Sequence, residues 1–204
     1  MIVIAPFANF YVLDGLVVRT DAALTVANLR ISGDLFRWGV GAFLVVALLD
    51  VIVAWGLNDL LAPSDQSGAR LAAWLRVAYA AVLAVALAPL LGALRWTQDL
   101  TYLTQLNPAL VQAQVMSALD DFARLWDLGL SVFGLHLVVL GVVVFRSGFV
   151  PSWLGVVVAL AGLAYLADTF GRILFPGLDL SWLMILFFGE AVFMLWLLWR
   201  GFRG

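Results

Sequence analysis

Long apolar stretches alternate with short polar ones along most of this 204-residue chain. A helix needs about 20 apolar residues to cross the hydrocarbon core of a membrane, and most of the stretches reach that length. The pattern therefore predicts an all-α fold in one transmembrane domain: a polytopic membrane protein built as an antiparallel bundle of six transmembrane helices. The predicted spans cover residues 2–18, 38–61, 71–94, 122–145, 153–173 and 182–200.

Two regions depart from this alternation. Residues 2–18 are apolar but short, and a helix of about 17 residues covers only about 25 Å, so a tilted or interfacial helix is the alternative to a first span. Residues 19–37 are predicted to form a polar loop. Between the third and fourth spans, Asn107 and Pro108 are typical of a helix start. They predict one interfacial helix lying on the membrane rather than a functional lid.

Composition also indicates a membrane protein. Hydrophobic residues make up 65% of the chain, charged residues 12%, and the mean hydropathy is +1.07, which lies outside the range of soluble domains. The lipid bilayer is therefore the predicted partner, in the cell membrane. Arginines in the loops at 64–70 and 146–152 and in the tail favour cytoplasmic termini under the positive-inside rule. No basic patch indicates nucleic-acid binding.

Missing residue types exclude several chemistries. The chain has no cysteine, which excludes disulfides, thiolate metal sites and iron–sulfur clusters. All 11 basic residues are arginine, so no lysine can form a Schiff base with retinal or pyridoxal phosphate. Because His136 is the single histidine, a three-histidine zinc site within the chain is excluded too. No metal site is predicted, no cofactor can be assigned, and an enzyme is disfavoured because the common catalytic motifs are missing.

Four ionisable residues are predicted inside the membrane. Asp50, His136 and Glu190 each lie about 10 or 11 residues from the helix end on the terminus-bearing side, which at 1.5 Å per residue is about 15 Å deep. Arg76 enters from the same side at about 9 Å, and we expect Asp50 to be its partner because an unpaired guanidinium there carries its full desolvation cost. We predict that these residues converge on one interior polar site. Three roles fit it: a structural network, a proton or ion pathway, or a substrate pocket. His136 is expected to be a hydrogen-bonded interior residue rather than a ligand.

A second polar layer is predicted near the opposite surface. Asp127 begins the fourth span, Asp168 ends the fifth, and Arg172 follows Asp168 at the i,i+4 spacing of a local ion pair. These charges are expected to pair at helix ends rather than to form a functional site. Small residues on the same two helices predict close helix packing, and they are Gly134, Gly141, Gly155, Ala159 and Gly162.

The hairpin of the fourth and fifth spans carries a recognisable set of motifs. They are Phe133-Gly134-Leu135-His136, Leu140-Gly141, Phe145-Arg146-Ser147-Gly148-Phe149, Pro151, Leu154-Gly155, Ala161-Gly162, Tyr165-Leu166 and Asp168. Together with Leu75-Arg76-Val77 and Gly189-Glu190, they resemble the bacterial membrane family called domain of unknown function 4386, from about Asp21 onward. The resemblance implies a helical integral membrane protein of the bacterial inner membrane, and it names no reaction.

Three functional hypotheses follow from these features. The first is a small membrane bundle that acts as an accessory or interaction subunit, with a membrane-protein partner or as a homo-oligomer, favoured by short loops and the lack of a catalytic set. The second is a proton-coupled or small-solute transporter that uses the interior Asp, His and Glu, although no internal inverted repeat supports it. The third is an intramembrane enzyme acting on a lipid-like substrate, favoured only by the inventory of polar residues.

Overall fold

The computed structural model describes residues 3–175, 177, 180, 182–183, 186 and 188–201. Every regular secondary-structure element assigned in this part of the chain is a helix, and the first of these helices are short. The chain starts with α1 (Ile4–Pro6), a π-helical segment (Phe7–Leu13) and α2 (Asp14–Leu16). The later helices are α3 (Ala22–Ile31), α4 (Gly33–Leu61), α5 (Gln66–Gln98), α6 (Leu100–Gln105), α7 (Pro108–Arg146), α8 (Ser152–Leu174) and α9 (Phe188–Gly201).

Four helices in the described part of the chain are long and apolar enough to cross a membrane. They are α4, α5, α7 and α8, with 29, 33, 39 and 23 residues, and each contains one predicted span. The all-α prediction is therefore confirmed, with four candidate membrane-spanning helices. The first predicted span, 2–18, overlaps α1, the π-helical segment and α2, the last of which ends at Leu16. The sixth, 182–200, falls partly outside the described residues and otherwise overlaps α9.

The prediction of a polar loop at residues 19–37 is wrong, because this region contains α3 and the start of α4. The carboxylate of Asp21 accepts a hydrogen bond of 2.9 Å from the backbone N–H of Leu24, which is the usual N-cap arrangement. The helix buries Val26 and Leu29 on one side. A cap and a few apolar positions are therefore enough to make a helix in a segment whose mean polarity suggests a loop.

The separate interfacial helix is also not observed. Asn107 does cap a helix start, since its side chain accepts a 2.9 Å hydrogen bond from the backbone N–H of Ala109. From Pro108, however, α7 continues without a break to Arg146. No proline interrupts it, and a change from amphipathic to apolar sequence alters what a helix buries without breaking its backbone hydrogen bonds. The predicted interfacial helix and fourth span are one helix.

The chain folds as two compact units, each built from two separate stretches of sequence. Unit 1 comprises Met1–Leu49 and Ala81–Trp126, and unit 2 comprises Asp50–Ala80 and Asp127–Gly204. Each of the helices α4, α5 and α7 contributes one segment to unit 1 and one segment to unit 2. All seven residues predicted to form the interior polar site and the second polar layer therefore belong to unit 2.

Unit 1 is held by an aromatic cluster and by hydrogen bonds to its connecting segment. The ring of Phe43, which is buried, lies 5.4 Å from Phe122 and 5.2 Å from Trp126 between centroids. The hydroxyl of Thr25 donates to the carbonyl oxygen of Val18 and accepts from its N–H, both at 2.9 Å. The backbone N–H and carbonyl oxygen of Val18, between α2 and α3, are thus satisfied inside the unit.

In unit 2, α7 and α8 approach closely through glycines, as the small residues predict. Gly148 has φ +75° in the turn between them, a conformation that other residues rarely adopt. A Cβ added at Gly141 would lie 2.5 Å from the carbonyl oxygen of Gly155, and one at Gly155 would lie 2.6 Å from that of Gly141. Gly134 and Gly162 face each other in the same way, at 2.8 and 2.5 Å. The two backbones therefore touch directly, which is how small residues drive helix association in lipid.

Alanine at Gly155 is expected to lower the free energy of unfolding by about 1–3 kcal/mol, the usual cost of overpacking an interior. Its Cβ would lie 2.5 Å from the backbone nitrogen of Phe145, and backbone atoms cannot move aside cheaply. Gly92 on α5 is the matched control, because nothing lies within 4 Å of its added Cβ. Denaturant unfolding of both variants in detergent is the measurement. Equal stabilities of G155A and G92A would contradict the direct backbone contact.

Candidate functional site

The interior charges predicted from the sequence surround the side chain of Arg76 in unit 2. Arg76 on α5 is 3% exposed and Asp50 on α4 is fully buried. The Nε of Arg76 donates a 2.8 Å hydrogen bond to Oδ1 of Asp50, and its Nη2 lies 2.7 Å from the same oxygen. Asp50 is therefore the carboxylate partner that was predicted for Arg76. Hydrogen bonds between two ionised groups are about twice as strong as neutral ones.

His136 on α7 lies on another side of the guanidinium and is 1% exposed. Its Nδ1 is 2.8 Å from the carbonyl oxygen of Ala72, and its Nε2 is 3.3 Å from Nη1 of Arg76. A carbonyl oxygen only accepts and a guanidinium only donates, so Nδ1 carries the proton and Nε2 accepts from Arg76. His136 is therefore a neutral imidazole with both ring nitrogens satisfied, as expected of an interior hydrogen-bonded histidine.

Glu190 in the first turn of α9 completes the group. Its Oε1 accepts from Nη2 of Arg76 at 3.5 Å, a longer contact than either bond to Asp50. Its side chain is 26% exposed, against 1% for that of Asp50. Asp50, Arg76, His136 and Glu190, named here the Arg76 cluster, thus have three buried members and one at the edge.

The charges of the Arg76 cluster do not balance when every acid is ionised. Arg76 contributes +1, the two carboxylates −2 and the neutral His136 nothing, so the net charge is −1. A buried net charge is costly, and one proton on a carboxyl group removes it. Oδ2 of Asp50 is buried without a hydrogen-bond partner in the part of the chain described. Glu190 makes the longer contact with the guanidinium, so its ion pair with Arg76 is the weaker of the two and the one that a proton breaks more easily.

Three aromatic rings beside the cluster were not predicted as part of it. The guanidinium carbon of Arg76 lies 5.3 Å from the ring centroid of Phe133, within the range of a cation–π interaction. The ring of Phe133 also packs against Tyr79 at 4.8 Å and against Tyr165 at 5.7 Å. Spacing offered a signal, because Phe133 precedes His136 by three residues and Tyr79 follows Arg76 by three, and i,i+3 neighbours share a helix face.

The contacts of Arg76 restrict what the cluster can do chemically. All three of its nitrogen atoms lie within hydrogen-bonding or ion-pairing distance of protein groups, which leaves little donor capacity for an anionic substrate. Among the described residues, no group of three or more histidine, cysteine or acidic side chains could hold a metal ion. What the arrangement can do with the residues present is hold a proton and change its charge.

The second polar layer forms a separate set of contacts in unit 2. Arg172 donates from Nη1 to Oδ2 of Asp127 at 3.1 Å and from Nη2 to Asp168, four residues earlier on α8. Thr169 adds a 3.3 Å hydrogen bond to the carbonyl oxygen of Asp127. The side chain of Arg172 is 56% exposed, and exposed ion pairs contribute little to stability. The predicted pairing of these charges is present.

Four long apolar helices and a buried, arginine-centred polar cluster define the class: a helical membrane protein with ionisable groups in its interior. The chain belongs to the family described as domain of unknown function (DUF4386), whose sequence profile matches residues 1–201. An "Uncharacterized protein" of Archaeoglobus fulgidus is 34% identical over 162 residues, which cover 79% of this chain and 82% of that relative. No solved structure matches the chain. The resemblance read from the hairpin motifs is therefore confirmed.

Proposed function

We propose that this chain is a proton-coupled transporter of the cell membrane in which Glu190 binds and releases the proton. The proposal takes the chain as one transmembrane domain of six antiparallel spans with cytoplasmic termini. The observation that carries it is that two carboxyl groups face one buried guanidinium, which needs only one of them for neutrality. Ionisable groups at membrane depth are costly, and they commonly mark proton relays or substrate pathways.

The proposed step is a proton exchange at Glu190. When a proton binds a carboxylate oxygen of Glu190, the Arg76 cluster changes from −1 to neutral and the attraction between Glu190 and Arg76 weakens. Asp50 keeps Arg76 paired throughout, because it holds the guanidinium through both Nε and Nη2. The contact between α9 and the buried cluster is then the one that depends on the proton. A change of this kind can couple proton binding to a change in helix packing.

Glutamine at Glu190 is expected to leave the fold intact and to reduce proton movement at least about tenfold, since a positioned acid or base contributes a factor of about 100 or more where it transfers a proton. Glutamine keeps an oxygen that accepts from Arg76, but it cannot bind or release a proton. The measurement is proton uptake into proteoliposomes with an enclosed pH-sensitive dye, driven by an imposed membrane potential and repeated with small solutes added outside, because a coupled transporter moves protons together with its solute. Difference infrared spectroscopy of the protonated carboxyl stretch reports proton binding independently.

Asp59 provides the matched control, because it is an exposed acid near the end of α4. D59N should retain both the proton uptake and the infrared signal of the wild type. Wild-type liposomes that take up no more protons than empty ones would contradict the proposal. So would an E190Q variant with the same uptake and the same carboxyl signal as the wild type.

The second candidate is the accessory or interaction subunit. It is favoured by one observation, that all three nitrogen atoms of Arg76 already contact protein groups, as in a purely structural network that ties several helices together. Under this hypothesis E190Q leaves every flux unchanged, and cross-linking in the native membrane captures the chain with a second membrane protein or a second copy. The proteoliposome experiment therefore separates the two candidates.

A further inference from the structure

A groove of about 620 Å³ lies on the surface of unit 2. One wall is the last third of α4, a second is the end of α9, and Phe149 from the turn after α7 closes it. The groove does not include any residue of the Arg76 cluster. It is therefore a feature separate from the proposed proton site.

The α4 wall is a continuous apolar stripe. Val53, Gly56, Leu57 and Leu60 line the groove, and their i, i+3, i+4 and i+7 spacing places them on one face of the helix. Seven residues of helix are about 10 Å long, which matches a substantial part of an extended acyl chain. Gly56 leaves the floor open, since nothing lies within 4 Å of a Cβ added there.

The other wall ends in a positive charge. Trp196 and Arg200 of α9 line the groove four residues apart, and Arg200 stands in the last turn of the helix. Arg19, Arg37, Arg76 and Arg172 each have a carboxylate partner. In the described part of the chain, Arg200 has no such ion pair and its side chain is exposed.

A second groove of about 340 Å³, also on unit 2, repeats this combination. It is lined by apolar and small residues of α7 and α8, including Gly155 and Leu160, and contains Arg146. Arg146 is the last residue of α7, as Arg200 is next to the last of α9. Two grooves in one unit therefore pair an apolar wall with an arginine at a helix C-terminus.

We propose that the groove at Arg200 binds one anionic phospholipid. An acyl chain lies along the α4 stripe and the phosphate accepts hydrogen bonds from the Arg200 guanidinium. The charges are complementary, and a guanidinium matches phosphate oxygens in a bidentate geometry. Basic pockets beside apolar helix surfaces are typical binding sites for anionic lipid head groups. The apolar wall selects a lipid over a free phosphate ion, which would leave the stripe uncovered.

Native mass spectrometry of the detergent-solubilised chain tests the proposal. Phosphatidylglycerol and phosphatidylcholine with the same acyl chains are added at equal concentration, and inorganic phosphate is added in a third sample. We expect one phosphatidylglycerol to remain bound in preference to phosphatidylcholine. R200Q should weaken its binding about tenfold or more, the loss expected when a hydrogen bond to a charged group is removed. Phosphate alone should not bind.

Two further variants locate the effect. G56L projects a side chain into the groove and should reduce the binding of phosphatidylglycerol, and the open space around Gly56 allows the variant to fold. R70Q is the matched control, an exposed arginine at the other end of the α4–α5 connection, and it should bind lipid as the wild type does. Equal retention of the two lipids by the wild type would overturn the proposal. Equal loss in R70Q and R200Q, or retention of free phosphate, would overturn it as well.

Discussion

Replacing Asp50 with leucine is expected to lower the free energy of unfolding by about 3–5 kcal/mol, the usual cost of breaking a buried ion pair by removing one partner. Arg76, which is only 3% exposed, would keep its positive charge. The remaining carboxylate, that of Glu190, lies 3.5 Å from Nη2 of Arg76. Leucine is larger than aspartate, so the substitution leaves no cavity, and any overpacking adds to the loss. Denaturant unfolding of the purified protein in detergent measures the change.

The double variant D50L/R76L separates the loss of the close carboxylate partner of Arg76 from lost packing. Replacing both partners by apolar residues removes the desolvation cost of the Arg76 charge, and Glu190 and His136 can then both be neutral, so the double variant should be more stable than D50L alone. The control pair is the exposed one: R172Q breaks contacts of Arg172 with Asp127 and Asp168 and should cost less than about 1 kcal/mol. A D50L variant as stable as R172Q would show that the Arg76–Asp50 pair does not carry a buried charge.

Leucine at His136 is expected to cost about 1–3 kcal/mol, because it leaves one buried N–H of Arg76 without its acceptor. That N–H now donates to Nε2 of the imidazole at 3.3 Å. Nδ1 donates at 2.8 Å to the carbonyl oxygen of Ala72, which keeps its backbone hydrogen bond within α5 when the imidazole is lost. The loss should be visible in the same unfolding experiment.

Asparagine and glutamine at position 136 each replace one of the two hydrogen bonds that His136 makes. Asparagine places an amide N–H near the position of Nδ1 and can still donate to Ala72, whereas glutamine places an oxygen near Nε2 and can still accept from Arg76. Each should recover part of the stability that H136L loses. If H136L were as stable as both of them, the neutral tautomer deduced from the hydrogen bonds would be wrong.

The glycine contacts and the Arg76 cluster stabilise unit 2 by different physical means. Gly141 and Gly155 bring the backbones of α7 and α8 together by close packing, which contributes dispersion contacts and requires no charge. The ion pair of Arg76 and Asp50 offsets a desolvation cost that an apolar pair would not have incurred. G155A should therefore leave any proton signal of Glu190 in place, whereas E190Q should remove that signal and leave the packing intact.

Several features could be predicted from the sequence because they depend on local composition and spacing. Hydropathy located α4, α5, α7 and α8, since the cost of leaving a backbone polar group unpaired in lipid forces an apolar stretch into a helix. Counting residues from the helix ends placed Asp50, His136 and Glu190 at comparable depths. The glycines of α7 and α8 were identified as a packing face because a helix repeats every 3.6 residues.

Only the tertiary structure decided the remaining features, because they depend on which faces meet. α3 forms within a polar segment because Asp21 caps it and its apolar side is buried. The mean polarity of a segment does not show whether one of its sides will be buried. The tautomer of His136 follows from its two neighbours, the Ala72 carbonyl and Arg76, which are 64 and 60 residues away in sequence. The edge position of Glu190, the ring of Phe133 against Arg76 and the groove at Arg200 likewise arise from the rotation and approach of packed helices. Sequence periodicity determines the face on which a residue lies, whereas packing determines what that face contacts.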